Sequence, residues 1–310
     1  MQTVSLCDHL WLRVAPGELF TCSDPGLGTG PDNLVRRALA VFRAAVGPTP
    51  PLRVHLAKRI PIGAGLGGGS ADAAAALRAL NRLCGMPCTW DDLRRLGLRL
   101  GADVPFLVAG GTAVARGRGE LLQPLVWRGA YTYVLASPDV QVDTAWAYAA
   151  LDAFRARSPS VTRAPADGPV PDRPARAAQA EPGGWATTDG LTGRTGGAKF
   201  AASVPSGGCA DHEHIVAACL HNDFEPVVRR AYPIVADLLA RLLGGGALAS
   251  TMTGSGSTVV GIFDDRKAAA LTRDAVRAAG HRSFLCWAVR PPGDAVHPAS
   301  TRRAGWSRLC

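Results

Sequence analysis

Five glycines fall within the seven residues Gly63-Ala64-Gly65-Leu66-Gly67-Gly68-Gly69, with Ser70, Ala71 and Asp72 directly after them and Pro61 and Ile62 before. Such a run suits the binding of an anion. Glycine lets the backbone turn tightly and brings its N–H groups close to a ligand, because no Cβ stands in the way. The alanine- and leucine-rich stretch Ala71 to Leu83 reads as a helix, so its unpaired N–H groups and the positive end of its dipole face the glycines. Phosphate is the usual anion for that geometry. No Gly-Lys-Ser/Thr ending is present, which excludes the common P-loop. No acidic residue about 20 residues on marks a dinucleotide-binding unit.

Asp103 is the candidate for proton transfer. Pro105 stiffens the turn Gly101-Ala102-Asp103-Val104-Pro105-Phe106 and pushes Val104 toward an extended conformation. A carboxylate held this way can take a proton from an attacking hydroxyl; its plainer role is a turn aspartate bonded to its own backbone. Thr144 and Tyr148 stand four apart and share a helix face. A second glycine loop runs over Met252 to Gly256, after the run His221-Asn222-Asp223-Phe224-Glu225. Cys209, His212, His214, Cys219 and His221 are metal-ligand residue types, but their spacing fits no common zinc site, so no metal ligand is expected.

These residues need elements to position them. Met1 to Val14 and Leu19 to Ser23 read as strands, and Asn33 to Val46 has helical spacing. Leu52 to Ile60 is a strand that leads into the glycine loop. Trp90 to Leu100 reads as a helix, with Thr89 as N-cap and Asp91 and Asp92 in its first turn. A hairpin is expected over Gly110 to Glu120, a strand over Tyr131 to Ser137 and a helix over Thr144 to Phe154. Helices are expected around Ile215 to Leu220 and over Val227 to Leu243, with a restart at Pro233. Ser257 to Phe263 and Phe284 to Val289 read as strands on either side of a helix over Arg266 to Ala279. Residues 158 to 208 are rich in Pro, Gly, Ala and Arg and poor in large apolar residues, so they read as a disordered insert. Residues 291–310 read as a loose tail. Strand and helix alternate in both halves, so the class is α+β or α/β.

A chain of 310 residues with 47% hydrophobic composition can bury a sizeable core. No apolar run approaches the ~20 residues of a membrane span, and Asp8, His9 and Arg13 interrupt the opening stretch, so a cytoplasmic location is expected. The net charge of +9 is carried almost wholly by scattered arginines, with Lys58, Lys199 and Lys267 as the only lysines. That scatter argues against a nucleic-acid surface. The eight cysteines contain no Cys-x-x-Cys pair and read as reduced thiols.

The pattern Pro-x-x-x-Gly-Leu-Gly-Gly-Gly-Ser-x-Asp-Ala-Ala resembles the phosphate loop of the GHMP kinases, and within them the family of 4-diphosphocytidyl-2-C-methyl-D-erythritol kinases. Gly-Ala-Asp-Val-Pro-Phe with the Gly111 to Glu120 stretch is similar to that family's catalytic segment. The run His221 to Glu225 and the loop Thr253-Gly254-Ser255-Gly256-Ser257 resemble its C-terminal lobe. The resemblance implies an α+β fold of two lobes, residues 1–130 with a ribosomal protein S5 domain 2-like topology and residues 131–290 with a ferredoxin-like one. It implies ATP and Mg2+ as cofactors, with Pro61 to Ala71 on the ATP phosphates and Asp103 acting on the substrate hydroxyl. Thr144 and Tyr148 would hold the cytidine of a cytidine-linked sugar alcohol, in a monomer or homodimer. Family members open with a strand carrying Pro-Ala-Lys-x-Asn-Leu and then Gly-Tyr-His. Met1 corresponds to the region after it, so the first lobe is expected to lack that strand and its lysine, and activity is expected to suffer. Lys58 or an arginine could supply the missing charge. The alternatives are a catalytically impaired nucleotide-binding remnant and a GHMP kinase for another small alcohol.

Overall fold

The computed structural model describes residues 1–117, 119–125, 131–157 and 220–289, together with the backbone of 199–200 and 307–309. The chain is α+β, with two lobes that meet at the glycine loop.

In the first lobe, β2 (His9–Val14) runs antiparallel to β4 (Leu52–Ala57), and β3 (Leu19–Cys22) runs parallel to β4 on its other side. Leu52, Val54 and Leu56 point inward from β4, and Arg53 and His55 point away, as the two-residue period of a strand requires. Four helices cover the inner face: α1 (Leu34–Val46), α2 (Gly68–Leu83), α3 (Trp90–Leu98) and α4 (Val104–Ala109). The side chain of Asn33 caps α1 by accepting from Val35 N. Thr89 and Asp92 form a reciprocal capping box on α3. The buried alanines from Ala71 to Ala76 keep α2 thin, so α1 and α4 pack on it together. Phe42, Leu77, Leu80 and Phe106 fill the core between these helices and the sheet.

A second sheet in this lobe has the order β6 (Leu121–Leu125), β5 (Thr112–Arg116), β1 (Gln2–Thr3) and β8 (Lys199–Phe200). The single strand expected over Met1 to Val14 is therefore two strands in different sheets. The chain breaks between them because Asp8 turns its carboxylate inward, where it accepts from Arg59 N and Ile60 N. Helix α4 was not foreseen; Pro105 stands in its first turn, where a missing N–H costs nothing.

The second lobe is an antiparallel sheet ordered β11 (Arg282–Trp287), β7 (Thr132–Ser137), β10 (Val259–Phe263) and β9 (Ala249–Met252). Strand β9 is a further element that the sequence did not reveal. One face carries α5 (Thr144–Arg157), α6 (Glu225–Ala231), α7 (Pro233–Gly244) and α8 (Arg266–Ala278). The break between α6 and α7 falls at Pro233, as expected. Val259 and Phe263 of β10 face those helices. Val260 and Ile262 face the opposite way, into a cluster with Val4, Ile60, Ala64 and Leu66. Residues of the glycine loop are thus part of the apolar seam between the lobes.

Of the insert 158–208, only Lys199–Phe200 is described; it pairs antiparallel with β1. Of the tail, β12 (Ser307–Leu309) pairs antiparallel with β2, so the described part of the tail is a strand. The rest of both segments, and the helix expected around Ile215 to Leu220, lie outside the described residues. No helix among the described residues is long and apolar enough to cross a membrane.

Candidate active site

The loop between β4 and α2 takes its shape from three glycines with φ in the left-handed region, Gly63 (69°), Gly65 (75°) and Gly67 (68°). Gly67 is the N-cap of α2, and no side chain caps that end. The helix starts at Gly68, three residues before the expected Ala71, so Gly68, Gly69 and Ser70 form its first turn. Ala71 N is the first to bond back, to Gly67 O at 2.9 Å. The N–H groups ahead of it have no intrahelical acceptor, and the helix dipole adds partial positive charge. They border a cavity of about 650 Å³ whose wall includes the loop from Pro61 to Ser70 and reaches across to Thr144 of the second lobe.

The glycines also serve a purpose the sequence did not reveal. A Cβ on Gly65 would stand 2.3 Å from Thr253 O and 2.8 Å from Gly256 O. One on Gly68 would meet Ile60 Cγ2 at 3.0 Å. The bare Cα atoms therefore admit neighbouring protein as much as ligand. Thr253 Oγ1 donates to Gly65 O at 3.2 Å and Thr258 N to Ala64 O at 3.3 Å, so the two glycine loops lock together. Gly65→Ala is expected to destabilise the protein by at least about 2 kcal/mol, from overpacking against backbone and a lost left-handed conformation. Gly17→Ala, with nothing within 4 Å of the new Cβ, should stay within about 0.5 kcal/mol. Equal denaturation midpoints for the two variants would show that the loop contact carries no weight.

The second loop is braced from behind. Asn222 Nδ2 donates to Met252 O (2.6 Å) and Gly254 O (2.9 Å), and its Oδ1 accepts from Phe224 N (2.9 Å). Glu225 Oε2 accepts from Thr251 Oγ1 and Met252 N, both at 3.0 Å. Asn222 and Glu225 are scaffold to β9 and its glycine turn. Thr144 Oγ1 lies 3.1 Å from Ser255 Oγ, at the cavity wall. Tyr148, one turn further along α5, is more than half exposed and stands edge-on to Phe224 with ring centroids 4.9 Å apart. It lies outside the cavity lining.

Asp103 is the N-cap residue of α4, in α-helical conformation, and is not among the residues lining the cavity. Its turn is nonetheless beside the loop: a Cβ on Gly101 would lie 3.9 Å from Ser70 Oγ. Gly119, in the turn between β5 and β6, packs on the same turn, since a Cβ there would stand 2.4 Å from Ala102 O. Gly119 thus helps fix the segment that carries Asp103.

Beneath the glycine loop lies a charge cluster that sequence reasoning missed. Lys58 Nζ donates to Asp8 Oδ2 at 2.5 Å and to Asp72 Oδ2 at 2.8 Å. The three side chains are 6%, 0% and 3% exposed. Burial works against the charge of Lys58, but Asp72 and Asp8 outweigh it and hold its pKa above the usual lysine value. The lysine that could have supplied a free charge is therefore committed to two carboxylates. The available signals were Asp8 interrupting an apolar alternation and Asp72 lying inside a run of inward alanines. Among the described residues no group of three or more His, Cys, Asp and Glu is arranged to hold a metal ion. Cys209, His212, His214 and Cys219 lie outside them.

Comparison with known proteins agrees with this arrangement. The family described as GHMP kinases N terminal domain matches residues 33–111, and that described as GHMP kinases C terminal matches residues 211–282. A 4-diphosphocytidyl-2-C-methyl-D-erythritol kinase from Synechococcus sp. (strain JA-2-3B'a(2-13)) is 37% identical over 89% of this chain and 80% of its own length. Its namesake from Solidesulfovibrio magneticus is 40% identical over 87% of this chain and 80% of its own. The crystal structure of a 4-(cytidine 5'-diphospho)-2C-methyl-D-erythritol kinase superposes with a TM-score of 0.64 at 29% identity, over 91% of this chain and 86% of that one. Methanococcus jannaschii mevalonate kinase, at 9% identity and a TM-score of 0.62 over 93% of this chain and 90% of its own, shares the fold. Two glycine loops in register, matched family domains in both lobes and relatives of this identity and coverage lead to one conclusion: the chain belongs to the GHMP kinase family and, within it, groups with the 4-diphosphocytidyl-2-C-methyl-D-erythritol kinases.

Proposed function

We propose that this protein transfers the γ-phosphoryl group of ATP to the 2-hydroxyl of 4-(cytidine 5'-diphospho)-2-C-methyl-D-erythritol. The observation that carries this reading is the uncapped N-terminus of α2, opening on a cavity that spans the glycine loop and Thr144. In the proposed reaction the loop N–H groups hold the phosphates of ATP. Mg2+ bound to the phosphates of the nucleotide would neutralise the charge that develops there. Asp103 accepts the hydroxyl proton as the oxygen attacks the γ-phosphorus and ADP leaves. Substrate and transition state then differ mainly in charge distribution, so positioning and electrostatics do most of the work. The first lobe, near residues 1–130, supplies the phosphate site. The second, near residues 131–290, supplies Thr144 and Tyr148 for the cytidine, and an ATP-dependent step of this kind suits a cytoplasmic enzyme.

The test compares phosphoryl transfer from ATP to the cytidine-linked alcohol with transfer to mevalonate and homoserine. Turnover should be confined to the first. Stacking of a base on an aromatic ring is worth about 1–3 kcal/mol, so Tyr148→Ala should raise KM for the cytidine-linked alcohol by about 5- to 150-fold and leave KM for ATP within about twofold. Transfer to mevalonate or homoserine instead would overturn the substrate assignment, and an unchanged KM would remove Tyr148 from the site.

A further inference from the structure

The cluster of Asp8, Lys58 and Asp72 sets two carboxylates against one ammonium. If all three were ionised, a buried negative charge would remain in the wall of a cavity suited to a polyanion. The hydrogen bonds distinguish the two acids. Both oxygens of Asp8 are used: Oδ2 accepts from Lys58, and Oδ1 accepts from Arg59 N (2.5 Å) and Ile60 N (2.9 Å). Asp72 receives Lys58 on Oδ2 alone. Its Oδ1 is buried without a hydrogen-bond partner, in a residue that is 2% exposed and lines the cavity. A buried lone acceptor is costly, and more so when charged.

We propose that Asp72 meets the nucleotide as a neutral carboxylic acid, with Oδ2 on Lys58 and an Oδ1 hydroxyl donating a hydrogen bond to a phosphate oxygen. This rests on the phosphate-site reading above and deepens it. The direction of its acidity agrees. Burial pushes Asp72 up to about 8, with Lys58 opposing and Asp8 reinforcing the rise. Lys58 and Asp8 are the charged groups that act on it, from the ends of β4 and β2. Asp32, ahead of α1, is the other carboxylate that lines the cavity. Asp72 is then a positioning and selectivity residue. As an acid it offers a donor to an anionic oxygen, and as a carboxylate it repels the same ligand.

The sign follows from linkage. The ligand binds the protonated form, so affinity is level below the pKa of the free protein and falls tenfold per pH unit above it. With Asp72 near 8, the affinity of wild-type protein for ATP should fall roughly 20-fold between pH 7.5 and 9.5. A phosphate's second ionisation near 6 is complete before that window opens. Asp72→Asn keeps an acceptor for Lys58 and replaces the O–H by an N–H donor. It should bind ATP at pH 7.5 within about threefold of wild type and stay level to pH 9.5. Asp72→Ala should bind about tenfold more weakly and also stay level, as loss of a hydrogen bond to a charged group implies. The measurement is calorimetric titration of each protein with ATP at five pH values, with Tm recorded at each. ATP binding by wild type with no fall toward pH 9.5, or binding by a folded D72N as weak as that of D72A, would overturn the proposal and leave the phosphate site standing. Absence of ATP binding by folded wild type at every pH would overturn the phosphate site itself.

Discussion

Asp103→Asn is expected to lower kcat for phosphoryl transfer by about 10²–10⁴-fold, the usual contribution of a positioned general base. The amide has the shape of the carboxylate but does not accept the hydroxyl proton at neutral pH. The variant should fold normally, because α4 does not use the Asp103 side chain as a cap. ATP affinity should stay within about twofold, because Asp103 is not in the cavity wall that carries the glycine loop. A loss in kcat without a loss in ATP binding is the signature of an interaction made in the transition state alone. Steady-state kinetics with a parallel ATP titration decide it. A kcat within tenfold of wild type would mean that another group takes the proton. A matching loss of ATP affinity would make Asp103 a binding residue instead.

Lys58→Met should cost about 3–5 kcal/mol of stability near neutral pH. The lysine is 6% exposed and contacts two carboxylates that are buried almost completely. Methionine fills most of the same space, so the cost is the charge left behind in a low-dielectric site rather than a cavity. The pH dependence gives the check on cause. Without Lys58, Asp72 loses the positive neighbour that opposes its rise and becomes easier still to protonate. The deficit should therefore shrink as pH falls through the carboxylate range and be largest toward pH 8. Chemical denaturation of both proteins at pH 5 and pH 8 measures this. A deficit below about 1 kcal/mol at pH 8, or one equal at both values, would show that the cluster does not bear on stability.

Much of the functional site was legible in the sequence because its signals are local. A glycine run ahead of an alanine-rich stretch can only be a turn that opens a helix, and the structure puts the uncapped start of α2 at that point. The helical spacing of Leu34, Ala38, Val41, Phe42 and Ala45 and the N-cap Thr89 likewise mark α1 and α3 from neighbours in the chain, while packing turned Val35, Ala38, Leu39 and Phe42 inward. Tertiary structure decided what depends on distant partners. The division of Met1 to Val14 into strands of two sheets depends on Asp8 meeting backbone 51 and 52 residues away. The six-residue helix α4 is too short for periodicity to announce and is held by α2 and α3. The pairing of Gly65 with Thr253, at 188 residues' separation, turns two glycine loops into one wall. The same holds for the charges: Asp8, Lys58 and Asp72 carry no shared spacing, and only the packing of β2, β4 and α2 brings them within hydrogen-bond distance. Residue types and local order determine which chemistry is available to this chain, because caps, turns and helix ends are short-range. Which of those groups share a charge, and which face a ligand, follows from long-range packing, since burial and desolvation exist only once the core has closed.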